Sequence, residues 1–298
     1  MTLRASQTAA IAFGALMVGM VGALPPAVAN PINLGGYTGP ISIKFTNYEE
    51  FLTPSGTPAT TIAPGDQNVG VFHVTSIQNA NTNATIWSEG GSNGFLVGVF
   101  NGITVNSVTG TSPNLTSHNT GGTFALYNVS ALPNFASGTS GYAAGGCAVG
   151  GLCYNGISNT GSGPVLTFDL IPGADTAVPT DTLQASFDST TIPATGKAVG
   201  WADITGGSDA NQFGRGGFKT AIGGPADISL EDDFCANMTG CAGQGGTTGD
   251  WQQVSNDPVG ALAVTPTPPV PEPASLALFG TALLGLGFVS WRRSKREG

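Results

Sequence analysis

The chain has 298 residues, 46 of them Gly and 20 Pro, with 9% charged and a formal net charge of −9. An average soluble domain is about 25% charged and about 7% Gly, so an ordinary cytosolic helical enzyme is excluded. A nucleic-acid partner is excluded too, because phosphate binding needs clustered Lys and Arg. The 40% hydrophobic content rules out charge-driven disorder. The Gly residues follow no triplet period, so collagen is ruled out as well.

The N-terminus reads as a secretory signal peptide over residues 1–29. Arg4 gives a positive start, and Ala9 to Leu24 runs without a charge. Pro25 and Pro26 break any helix, and Ala27-Val28-Ala29 is a small-x-small site that signal peptidase accepts. Cleavage after Ala29 is expected. The competing assignment is an N-terminal membrane anchor, for which the apolar run is short.

Residues 30–257 are expected to form one β-rich exported domain. Ile41 to Thr46, Val69 to Ile77, Phe95 to Val105, Phe124 with Leu126, and Leu166 to Leu170 alternate with the period of half-buried strands. Leu183 to Phe187 and Val199 to Ile204 are weaker candidates. Tyr48 to Leu52 is compatible with a single helical turn. The stretches 106–122 and 138–163 read as long loops, rich in Gly, Asn, Ser and Thr. The pattern predicts an all-β fold, an antiparallel β-sandwich or a jelly-roll-like body, with no repeat of fixed period.

Four cysteines form two C-x5-C pairs, Cys147 with Cys153 and Cys235 with Cys241. An even count in an exported chain points to two disulfides, and three connectivities are open. Pairing within each C-x5-C closes two short loops and is the favoured arrangement. Zinc is the rival occupant, but its Cys pairs are usually spaced more closely.

Catalytic signals are sparse. His73 lies in a candidate strand, where a solvent-facing or satisfied side chain is the plain expectation, and His118 lies in a predicted polar loop. Gly90-Gly91-Ser92-Asn93-Gly94 matches the letters of a nucleophile elbow, which needs a strand before it and a helix after it. A strand-like run follows instead, so a turn is expected. Asp227, Glu231, Asp232 and Asp233 form the densest acidic cluster, and Asp203 and Asp209 flank Gly206-Gly207. Solvated surface is the first expectation for the cluster, and weak calcium ligation the second, since hard oxygen donors on a Gly-rich loop suit that ion. No other cofactor is expected. Two facing carboxylates would suit a glycosidase. Trp87, Trp201 and Trp251 are core candidates that could alternatively stack on sugar rings. The Asn-x-Ser/Thr triplets at Asn83, Asn114, Asn128 and Asn237 are expected by chance in such a composition.

A Pro-rich linker is expected over residues 258–270, containing Pro258, Pro266, Pro268 and Pro269. Pro271-Glu272-Pro273 follows. Ala274 to Trp291 is then free of charge, and at 1.5 Å per residue these positions span roughly 27 Å, enough for a transmembrane helix. Arg292, Arg293, Lys295 and Arg296 come next, and the positive-inside rule keeps them cytoplasmic. The body is therefore expected on the far side of the inner membrane. Its four cations (Lys44, Lys197, Arg215 and Lys219) face 16 acids, a net charge of −12 for residues 30–270.

The triplet, the Gly/Leu-rich helix and the terminal basic cluster, in that order over residues 271–298, resemble the PEP-CTERM sorting signal of exosortase substrates in Gram-negative bacteria. The resemblance covers roughly a tenth of the chain. It implies that exosortase recognises Pro271, Glu272 and Pro273, and that the helix is removed. The chain would be anchored transiently in the inner membrane, with its body then reaching the outer surface or extracellular matrix. It also implies company with exopolysaccharide, in biofilms or flocs. Three roles follow for the body: a structural or adhesive component without enzymatic activity, a calcium-dependent carbohydrate-binding module, or a secreted hydrolase.

Overall fold

The computed structural model describes residues 31–133, 163–192, 194–235 and 252–264. Among the described residues thirteen strands succeed one another: β1 (Gly39–Leu52), β2 (Gln67–Asn79), β3 (Thr85–Ser88), β4 (Phe95–Thr111), β5 (Asn114–Thr120), β6 (Thr123–Val129), β7 (Leu166–Ile171), β8 (Leu183–Phe187), β9 (Gly196–Gly206), β10 (Phe218–Lys219), β11 (Pro225–Ala226), β12 (Ile228–Cys235) and β13 (Gln253–Ala263). Apart from the small β10–β11 pair they form one antiparallel sheet.

That sheet closes on itself. The order β2-β1-β13-β12-β9-β7-β6-β4 returns to its start because β4 also pairs with β2, through contacts such as Val71↔Val99. The ring has a second tier. The first half of β4 pairs with β6 and its second half with β5, while β9 pairs with β8 over Gly196–Gly200 and with β7 beyond. Closure leaves few unpaired edges, which is how antiparallel sheets avoid edge-to-edge association. The body is sandwich-like in that opposite strands share one apolar core.

β1 shows the sequence rule behind the core. Ile41, Ile43, Phe45, Asn47 and Glu49 face inward, while Ser42, Lys44, Thr46 and Tyr48 alternate outward. Across the ring, Phe45, Phe72, Phe100, Phe124 and Phe168 form a run of aromatic contacts. Phe124 stacks on Phe168 with ring centroids 4.7 Å apart and on Phe100 at 5.4 Å, and Phe45 meets Phe72 edge-on at 6.0 Å. A smaller cluster of Val71, Val97, Val99, Tyr127 and Val129 occupies the opposite face of β2, β4 and β6, so these strands are buried on both sides.

Glycine is used here for close approach. Phe72 pairs with Gly98, and Phe100 with Gly70, across the β2–β4 seam. A Cβ at Gly98 would strike the Phe72 ring, and one at Gly70 would come within 2.7 Å of the Phe100 ring. Phe234 lies over Gly196 in the same way, between β12 and β9. Each ring occupies the space its partner leaves empty.

Three expectations change. Tyr48 to Leu52 continues β1 instead of forming a helical turn, because Glu49, Glu50 and Phe51 are buried and paired with β2. Most of 106–122 is strand. Thr, Ser and Asn face outward there, while Val105, Leu115, Ser117 and Asn119 fill inward positions. The boundary at Pro258 moves beyond Val264, since β13 passes through Pro258 and ends at Ala263. Pro258 has no N–H to donate. It falls between the Leu230↔Val259 and Phe234↔Ser255 pairs of the β12–β13 ladder.

Gly98→Ala should lower stability by about 1–3 kcal/mol, the usual cost of overpacking, as measured by urea unfolding. Phe72→Leu should recover part of that loss in the double variant. Additive losses would show that ring and glycine are uncoupled.

Candidate functional site

The residues of the sorting signal (Pro271, Glu272, Pro273, residues 274–291, Arg292, Arg293, Lys295 and Arg296) lie outside the described residues, as does the signal peptide. Among the described residues no helix is long and apolar enough to cross a membrane. Cys147, Cys153 and Cys241 also lie outside. Cys235 closes β12, its backbone paired with Val254.

The acidic cluster is divided by strand alternation. Glu231 and Asp233 point outward and share Lys197, whose ammonium lies 3.3 Å and 3.7 Å from their oxygens. Asp232 points inward and is buried. Asp227 precedes β12 and serves a structural purpose. The backbone N–H groups of Ile204 and Gly216 and the Arg215 guanidinium donate to it at 2.9, 2.6 and 2.9 Å. Burial raises its pKa, but those donors outweigh it, and the carboxyl is held below the usual range. The four residues therefore do not converge on one ion.

Asp232 instead meets Glu49 at the polar end of an interior cavity of about 70 Å³, lined otherwise by residues such as Phe72, Phe100 and Phe168. The Asn47 and Asn68 amides and the Ser255 hydroxyl donate to Glu49 at 2.6, 2.7 and 2.7 Å. Burial and the Asp232 charge nevertheless push the Glu49 pKa up to about 8. The two carboxyls hydrogen-bond to each other, which requires a shared proton. This space has room for a few waters and is too small for a sugar ring. The alternation of β1 contained the signal for this pair: a Glu in phase with Ile41, Ile43 and Phe45 must be buried.

Asp209 accepts the Ile32 N–H at 2.6 Å, and burial raises its pKa. Asp203 lies opposite Asp169 across the β9–β7 ladder. Trp87 is only 2% exposed, so it is a core residue unable to stack on a ligand. Trp201 is half-buried on the outer face of β9, facing Ser229 and flanked by the Val199↔Glu231 pair. Gly91–Asn93 forms a short 3-10 turn that leads into β4, so the nucleophile-elbow letters mark a turn. His73 is hydrogen-bonded to Glu89, the satisfied neighbour expected of it.

His118 departs from its predicted loop. It stands on the outer face of β5, its Nδ1 2.5 Å from Asp181 Oδ2 and 3.9 Å from Asp175 Oδ2. Sequence reading missed this trio because 57 or more residues separate His118 from both acids, and only the β5–β8 pairing joins them.

Glu49 should make stability fall as pH rises. With its pKa raised from 4.5 to about 8, the folded chain holds a proton that the unfolded chain has lost within that window. Thermal unfolding across pH 5–8.5 should therefore slope downward, and Glu49→Gln should flatten the slope. An equal slope in the variant would contradict the shared-proton assignment.

The PEP-CTERM protein-sorting motif profile matches residues 269–294. Searches of curated proteins and of solved structures found no match to the chain.

Proposed function

We propose, from the PEP-CTERM protein-sorting motif that this chain carries at residues 269–294, that its body is a structural or adhesive component of an exopolysaccharide-rich matrix, biofilm or floc, without enzymatic activity. The motif implies an exported exosortase substrate sorted toward the cell surface, and the observation that carries the reading is its position directly after the β body. Removal of the signal peptide by signal peptidase and passage through an inner-membrane intermediate complete the route. The rest of the support is physical. A closed sheet with a polar, sparsely charged exterior suits prolonged exposure outside the cell. Thr, Asn and Ser along its outer faces supply hydroxyls and amides that match those of polysaccharides. The most closely coupled carboxyls, Glu49 and Asp232, face an interior that no polymer enters, which weighs against a hydrolase.

Glu272→Ala in an exosortase-positive strain should leave uncleaved chain in the inner-membrane fraction, read by fractionation and immunoblot. Normal processing and surface display of the variant would overturn the sorting role of the triplet. Deleting the gene should reduce cell aggregation without loss of a hydrolytic activity.

A second reading, a carbohydrate-binding face, rests on Trp201. It is half-buried on the outer face shared with Glu231 and Asp233. The divergence of the four acids removes support for calcium dependence. A glycan array probed with wild-type protein and Trp201→Ala tests it. Binding lost in the variant and unchanged by chelator supports this reading, and absence of binding by the wild type removes it.

A further inference from the structure

The geometry points to a divalent metal site formed by His118, Asp175 and Asp181, on the outer face of the second tier of the ring. One ligand atom from each residue lies within 4.8 Å of the other two. A zinc ion bound at about 2.0–2.2 Å holds its ligands roughly 3–3.5 Å apart. The observed separations of 2.5 Å and 3.9 Å bracket that range, so small side-chain rotations complete the site.

The second observation concerns the remaining oxygen of Asp181. Its side chain is 1% exposed, and Oδ1 is buried without a hydrogen-bond partner. It is the second oxygen of the carboxylate whose Oδ2 faces His118, so an ion bound by that carboxylate would lie close to it. An unpartnered buried carboxylate oxygen is costly, and a cation beside it removes the cost. Among the described residues the ion pairs of both acids are with His118 alone. Two carboxylates against one imidazole therefore leave uncompensated negative charge even when the ring is protonated.

The ligands are held in place before any ion arrives. Asp175 accepts the Ala177 N–H at 2.9 Å through Oδ1 and the Gln184 amide at 2.9 Å through Oδ2. The Asp181 carbonyl accepts from Gly173 and Ala174, and its own N–H reaches Val178, which folds the β7–β8 connection on itself. Gln184 is the cross-strand partner of His118. The donor set is one imidazole nitrogen and carboxylate oxygens, which suits a borderline first-row ion such as Zn²⁺ and leaves a position for water. The ion would pin residues 172–182 to β5 and thereby brace the β5–β8 ladder.

The test uses the full-length chain in detergent, stripped with chelator and titrated with ZnCl₂ and then CoCl₂. One zinc per chain should bind in this site, raise the unfolding temperature and slow amide exchange over 173–182. His118→Gln should weaken binding at least about tenfold. If that variant fails to fold by circular dichroism, Asp175→Asn gives the same reading from the most exposed ligand. The cobalt spectrum should lack a thiolate charge-transfer band. Undiminished binding by the folded variant, a thiolate band that places the ion on cysteine, or no zinc bound by the folded wild type would each overturn the site.

Discussion

Two phenylalanine rings lying over two glycines hold the β2–β4 seam together, and the closed sheet depends on that seam. Phe72 covers Gly98 and Phe100 covers Gly70, and only hydrogen at the glycine Cα permits the approach. Through Phe124 the same rings stack onto β6 and β7. Without this pairing β4 would leave β2, and an extended sheet with two exposed edges would replace the ring. The high Gly content thus has a second meaning beside turns. Some glycines sit in mid-strand, where they let aromatic side chains reach across the core.

A body closed in this way has little room for a deep active site. Its interior cavity of about 70 Å³ contains a proton-sharing pair, Glu49 and Asp232, held by Asn47, Asn68 and Ser255. Buried carboxyls of this kind make stability depend on pH without bringing them to a substrate. Among the described residues, the chemistry open to a partner lies on the outer faces, where Trp201 and the trio of His118, Asp175 and Asp181 are found. The proposed role, in which the C-terminal motif sets the destination and the body works by contact, draws on those outer faces.

Period-2 alternation made β1, β7 and β9 legible, because each buries one residue in two along most of its length, while β2 and β4, buried on both faces over Val69–Val74 and Leu96–Phe100, were legible from their Val and Phe content. It failed where polar residues occupy strands. The run of Asn, Ser and Thr in β5 reads as loop, and its inward Ser117 and Asn119 are satisfied by each other and by the Leu183 carbonyl of β8. It failed again in β12, where Glu231, Asp232 and Asp233 look like one acidic surface. In the fold they alternate outward, inward and outward. The sorting motif was legible because it is a local arrangement of residues at the chain end. The metal trio was not, since strand pairing creates it from distant positions.

Intact mass spectrometry of the protein recovered from the surface or medium of its producing cells is the most direct measurement of the sorting route. The mass should correspond to a chain that begins near Asn30 and ends upstream of the apolar segment 274–291, with any attached group adding to that value. Recovery of a chain retaining residues 274–298, or one confined to the cytoplasm with its first 29 residues intact, would contradict export and sorting.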